Sequence, residues 1–122
     1  MTKNLKTLIK DYINFPRNGI IFKDIFPLLQ HPDVFSSVIE EISASHIFNN
    51  ADAILSIDTK GFIFGTAISF NLSKPMVFDR KPGKLPGNLI EKSYDLEYGN
   101  NSLAIQIDAI KIIIHSLLLM IY

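Results

Sequence analysis

The chain contains no cysteine, which excludes disulfides and thiolate zinc sites. It has no excess of charge: 12 Lys and Arg balance 12 Asp and Glu, for a formal net charge of +0. A dedicated nucleic-acid binder usually carries a net basic surface, so this balance argues against that class. No apolar run reaches the roughly 18 residues of a membrane span. The opening residues Met1 to Lys6 lead into a polar, amphipathic segment with no apolar core of signal-peptide length. The expectation is a cytosolic protein with neither a membrane nor a nucleic-acid partner. No GxGxxG or Walker pattern occurs, so the common nucleotide fingerprints are missing. His31, His46 and His115 lack metal-ligand spacing, and no Ser/His/Asp nucleophile arrangement can be assembled.

What is present is a globular composition. Over 122 residues, 48% are hydrophobic and 20% charged, enough for one domain with a modest core. Leu5, Leu8, Ile9, Tyr12 and Ile13 recur at helical spacing among Lys3, Lys6, Lys10 and Asp11, which predicts an amphipathic helix over 3–13. Phe15 to Gly19 breaks it, and Ile20 to Phe22 is a short apolar run. Asp24 is placed to cap a short turn over Ile25 to Leu29. A second helix begins near Pro32-Asp33, with Val34, Phe35, Val38, Ile39, Ile42 and Ile47 as its buried stripe. Asp52 to Ile57 reads as a strand, 58–61 as a polar turn, and Phe62 to about Leu72 as a helix. That succession is the half-unit of a parallel α/β sheet. Pro75 to Phe78 is the next strand. Leu103, Ile105 and Ile107 alternate with Ala104, Gln106 and Asp108, a half-buried strand. The tail from Ile112 is nearly all apolar, and a last buried strand or an aggregation-prone end are both open readings.

Two stretches suit an anion. Asp58-Thr59-Lys60-Gly61 lies between strand and helix, where helix N–H groups favour negative charge, Lys60 adds a cation and Gly61 permits close backbone approach. An ordinary strand-to-helix turn with an exposed lysine is the competing reading. Arg80, Lys81 and Lys84 are interleaved with Pro82, Gly83, Pro86 and Gly87. A central strand or a helix cannot form there, and a mobile cationic loop suits a polyphosphate that must be covered and released. A solvated surface loop and a nucleic-acid contact are the alternatives, and the few cations in a neutral chain favour a small polyphosphate over the latter. The loop runs into Tyr94-Asp95-Leu96-Glu97-Tyr98-Gly99, which offers a carboxylate beside uncharged rings.

Four segments carry a resemblance: Phe15 to Ile25, Asp58 to Gly65, Arg80 to Pro86 and Ser93 to Gly99. In this order and register, from about Leu8 to Lys111, they closely resemble adenine phosphoribosyltransferase. The resemblance implies an α/β, type I phosphoribosyltransferase fold, a parallel sheet flanked by helices with an N-terminal hood. It implies purine salvage: phosphoribosyl pyrophosphate and adenine give AMP and pyrophosphate, with Mg²⁺, in a homodimer. Ile21, Phe22 and Lys23 match the hood segment that contacts adenine. Asp58, Thr59, Lys60 and Gly61 match the pyrophosphate loop, and Arg80, Lys81 and Lys84 the flexible loop that closes on pyrophosphate. Glu97, with Tyr98 beside it, matches the acid near the purine imidazole nitrogen. Glu97 and Lys60 are thus the expected catalytic residues.

There are three departures from the family. Lys23 and Lys60 each stand where the family usually has arginine, which keeps the charge but loses the planar fork. After Lys111 the family continues into paired aspartates and a Thr-Gly-Gly-Thr loop that hold ribose, Mg²⁺ and the 5′-phosphate. Here the sequence reads Ile112 to Tyr122 instead, without an acidic pair or a Gly-Gly loop. The expected organisation is therefore 1–111 as the N-terminal part of a phosphoribosyltransferase domain and 112–122 as an apolar tail out of register. A frameshift, a premature stop or a mis-called gene would each produce this. No metal ligands are assigned, and the short chain is expected to be inactive alone. The alternative is a non-catalytic remnant that binds purine or pyrophosphate, or pairs with an intact subunit.

Overall fold

Residues 5–96, 99–111 and 118–121 are described by the computed structural model. They fall into two units that divide between Glu41 and Ile42.

The first unit opens with a 3-10 turn, Leu5–Thr7, followed by β1 (Lys10–Ile13) and β2 (Ile21–Asp24). The two strands pair antiparallel, Lys10 opposite Asp24 and Ile13 opposite Ile21. This replaces the helix expected over 3–13. Its 3.6-residue period was carried by few residues, and pairing with Ile21–Asp24 outweighs so weak a local preference. The hairpin turn accounts for the outcome: Asn14 and Gly19 both take left-handed backbone, with φ of 59° and 86°. The Asn14 side chain accepts the Gly19 N–H at 2.9 Å. Asp24 then does what its position suggested, accepting the Phe26 N–H at 3.0 Å and opening α1 (Phe26–Leu29). α2 (Pro32–Ser43) follows, burying Val34 and Ile39. The expected stripe does not extend to Ile47. Ser45 is extended, with ψ of 145°, and Ile47 lies on a separate helix that belongs to the second unit, α3 (His46–Asn50), at 57% exposure.

The second unit is built on β3 (Ala53–Ile57), every residue of which is buried. α4 (Lys60–Leu72) returns the chain to β4 (Met76–Asp79), which pairs parallel with β3 from Ile54 opposite Met76 to Ile57 opposite Asp79. α4 packs against these strands through Ile68, which is fully buried. The approach is close. A Cβ on Gly65 would fall 1.8 Å from Ser56 Oγ, so only glycine fits there. Part of the apolar tail forms β7 (Leu118–Ile121), parallel to β3 on its other edge, giving the order β4-β3-β7. This is a parallel sheet with helical cover, the α/β class expected.

β5 (Leu89–Leu96) and β6 (Gly99–Gln106) form a long antiparallel hairpin. It is tied to the end of β4 by an Arg80–Ala104 bridge, with N–H to O distances of 3.1 and 2.7 Å. The alternation expected for 103–107 fails in one respect. Ala104, not Leu103 or Ile105, is the buried residue, because the bridge brings the backbone of Arg80 against it. Ile107 begins a short helix, α5 (Ile107–Lys111). Among the described residues no helix is long and apolar enough to cross a membrane.

Candidate functional site

The parallel register decides the geometry of the site. Because Ile57 lies opposite Asp79, the residues that leave the two strands emerge side by side at the sheet's carboxyl end, where α/β folds bind ligands. The two anion-suited stretches are therefore one cluster. Arg80 Nε donates to Asp58 Oδ2 at 3.0 Å, and the Asp58 N–H donates to the Asp79 carbonyl at 3.2 Å. The guanidinium also lies over the Phe62 ring, 5.6 Å from its centroid, and Phe62 stacks at a tilt on Phe78 with centroids 4.8 Å apart. The Asp58–Thr59 peptide is cis. Thr59 is exposed, Lys60 half-buried at the first position of α4, and Gly61 buried behind it. Lys81 and Lys84 are both exposed, on a 3-10 turn (Pro82–Lys84) in which the Lys84 N–H donates to the Lys81 carbonyl at 2.9 Å.

Two carboxyls in the cluster are tuned in opposite directions. The Thr59 hydroxyl, and after it the Arg80 hydrogen bond, hold Asp58 below the usual carboxylate range, so it stays ionised as the anchor for Arg80. Burial pushes Asp79 up, against a weaker opposing hydrogen bond from the Ala104 backbone. Its Oδ1 has no hydrogen-bond partner.

In the first unit, Ile21 is exposed and Phe22 packs edge-to-face on Phe15 at 5.2 Å. Phe22 lines an apolar cavity of about 290 Å³ with Tyr12, Phe15, Asp24 and Phe26. Lys23, opposite Asp11 in the hairpin, has its ammonium held by the Asp11 carboxylate at 2.8 Å. Glu97 and Tyr98 lie outside the described residues.

Sequence reasoning missed Asp58 as the partner of Arg80, Phe62 beneath its guanidinium with Phe78 behind, Asp79 as a buried acid, Ala104 as the loop's anchor and Asp11 as the partner of Lys23. The signal for the first of these was present. Once 53–57 and 76–79 are read as neighbouring parallel strands, 58 and 80 must adjoin. Among the described residues no three His, Asp or Glu side chains converge to hold a metal. Asp58 is committed to Arg80 and Thr59. The described residues thus do not fit a protein-made Mg²⁺ cage.

The arrangement is the sheet, loop and hairpin of a type I phosphoribosyltransferase fold, represented in part. The chain is a homologue of the adenine phosphoribosyltransferases. It is 58% identical over 111 residues to the adenine phosphoribosyltransferase of Prochlorococcus marinus (strain MIT 9211), covering 91% of this chain and 64% of that one. The crystal structure of the Rhodothermus marinus enzyme matches with a TM-score of 0.84 at 35% identity, over 95% of this chain and 65% of that one. The Saccharomyces cerevisiae enzyme, complexed with an imino-altritol bisphosphate and adenine, matches at 0.76 and 34% identity, over 84% of this chain and 60% of that one. The chain thus spans less than two thirds of the length of these relatives. No family model matches it.

Proposed function

We propose that these residues form the base-side and pyrophosphate-side part of an adenine phosphoribosyltransferase, which transfers phosphoribosyl from phosphoribosyl pyrophosphate to adenine. The observation that carries the proposal is the joining of Asp58–Gly61 and Arg80–Lys84 at the carboxyl ends of β3 and β4. Displacement at the anomeric carbon develops oxocarbenium character as pyrophosphate leaves with negative charge. Arg80, Lys60, Lys81 and Lys84 are cations suited to that leaving group, at a helix N-terminus that favours anions. The aromatic cavity beside Phe22, with Ile21 and Lys23, offers a flat apolar surface for the purine. The Saccharomyces relative was solved with adenine, and the Trypanosoma brucei relative with AMP, pyrophosphate and ribose-5-phosphate. Glu97 exchanges a proton with the base in this reading. Mg²⁺ would enter with the substrate pyrophosphate rather than be held by these residues, and would supply neutralising charge to it. The cytosolic, homodimeric setting belongs to the same proposal, and analytical ultracentrifugation of the purified chain tests the dimer.

The test separates binding from turnover. After Lys111 these residues hold no acidic pair and no Thr-Gly-Gly-Thr loop, so the chain alone is expected to bind adenine and pyrophosphate without forming AMP. Residues 1–111 joined to the remaining segment of the Prochlorococcus relative are expected to form AMP from labelled adenine. A folded chimera without turnover sinks the proposal. In the active chimera, Glu97→Gln is expected to lower kcat by about 10²-fold or more, the scale of a lost general acid or base. Full turnover in that variant would remove the proton-transfer role.

A further inference from the structure

We propose that Phe62 is a positioning residue that, together with Asp58, holds the Arg80 guanidinium as a fixed cation of the pyrophosphate site. The division of labour within the cationic loop follows from this. Arg80 is its stationary member, and Lys81 and Lys84 are the members that move.

Four observations support the inference. Arg80 is bracketed in backbone by both hydrogen bonds of the Ala104 bridge, so the first loop residue belongs to the sheet. Its Nε is spent on Asp58 at 3.0 Å, which leaves the two terminal nitrogens to face a ligand. The guanidinium carbon lies over the Phe62 ring, 5.6 Å from its centroid and within cation–π range. Phe62 is itself fixed, by its place in the first turn of α4 and by Phe78 at 4.8 Å. Lys81 and Lys84 have none of this; both are exposed beyond the bridge on a turn rich in proline and glycine. A planar cation held on two sides loses little side-chain entropy when pyrophosphate arrives, whereas a flexible lysine must be ordered at that moment. Lysine at position 80 would keep the charge but could not use the Phe62 face in the same way.

The inference rests on the reading of this cluster as a pyrophosphate site, and the experiment is arranged to separate the two. Binding of inorganic pyrophosphate to the full chain is measured by isothermal titration calorimetry for wild type, Phe62→Leu, Phe62→Tyr, Arg80→Lys and the Phe62→Leu/Arg80→Lys double variant. Thermal melts identify any variant that has lost its fold. Phe62→Leu is expected to bind about fivefold more weakly and Phe62→Tyr to stay within about twofold of wild type. In the Arg80→Lys background, Phe62→Leu is expected to have almost no further effect, which a merely structural role would not produce. A wild type that fails to bind pyrophosphate removes the site reading and the inference with it. A wild type that binds, with Phe62→Leu equally tight or its loss additive to that of Arg80→Lys, removes the inference alone.

Discussion

Asp58 and Asp79 follow or end neighbouring parallel strands, yet their carboxyls are pushed in opposite directions. Asp58 is lowered from 3.8 by Thr59 and Arg80. Its contribution to stability is therefore present above 3.8 and lost as pH falls through its lowered value. Asp79 is raised from 3.8 by burial, so the folded state holds its proton more tightly than the unfolded chain does. Its contribution is full below 3.8 and is lost as pH rises through the raised value. Asp79→Asn keeps an acceptor for the Ala104 N–H and removes the ionisation. It is expected to raise the melting temperature near neutral pH and to flatten the decline of stability above pH 3.8. Melts of both proteins across that range check it, and parallel curves would show that folding does not shift the Asp79 carboxyl. Gly65→Ala is expected to destabilise by about 1–3 kcal/mol or more, because the new methyl would meet Ser56 Oγ at 1.8 Å and Ser56 Cβ at 2.9 Å. An unchanged urea midpoint would mean that α4 can lift off β3 at little cost.

At the scale of elements, the cationic loop is fixed at one end and open beyond it. The Arg80–Ala104 bridge ties its start to β6, while Lys81 and Lys84 lie in solvent. Lys81→Ala and Lys84→Ala are each expected to weaken pyrophosphate binding by about fivefold and to reduce its salt dependence, as loss of one exposed cation should. Titrations at two ionic strengths check this, and salt-independent losses would point to a folding defect. The link from α4 to β4 makes a different contribution. Lys74 reaches back to the carbonyls of Phe48 and Asn49, at 2.7 and 2.5 Å, satisfying acceptors at the end of α3. Lys74→Met keeps the aliphatic stem and loses the charge. It is expected to cost about 1 kcal/mol by denaturant melts.

For the whole molecule, the short-range chemistry was legible and the pairing was not. The buried strand at Ala53–Ile57, the helix after it and the Asp24 cap could be read locally, because each rests on a run or a single side chain beside its own backbone. The residues of the candidate site were legible as well: Asp58 to Gly61 and Arg80 to Lys84 are contiguous polar or cationic stretches next to strand signals. The 3–13 segment was misread because a helical period and a β-hairpin both tolerate its residues, and only the partner strand Ile21–Asp24 decides between them. The apolar run after Ile112 could not be resolved as strand or loose end until β3 was found to accept Leu118–Ile121 on its free edge.

By itself, then, the sequence determined the class of fold, the order of its elements and the stock of cations available to a polyanion. These depend on composition, period and neighbours in the chain. Tertiary structure alone decided that two anion-suited stretches some 20 residues apart form one cluster. It also decided that Arg80 is held by Asp58 and Phe62 while Lys81 and Lys84 are not, and that Asp79 is a buried acid. The physical reason is that register between parallel strands is set by packing of β3 beneath α4, a relation between distant residues that no local pattern encodes.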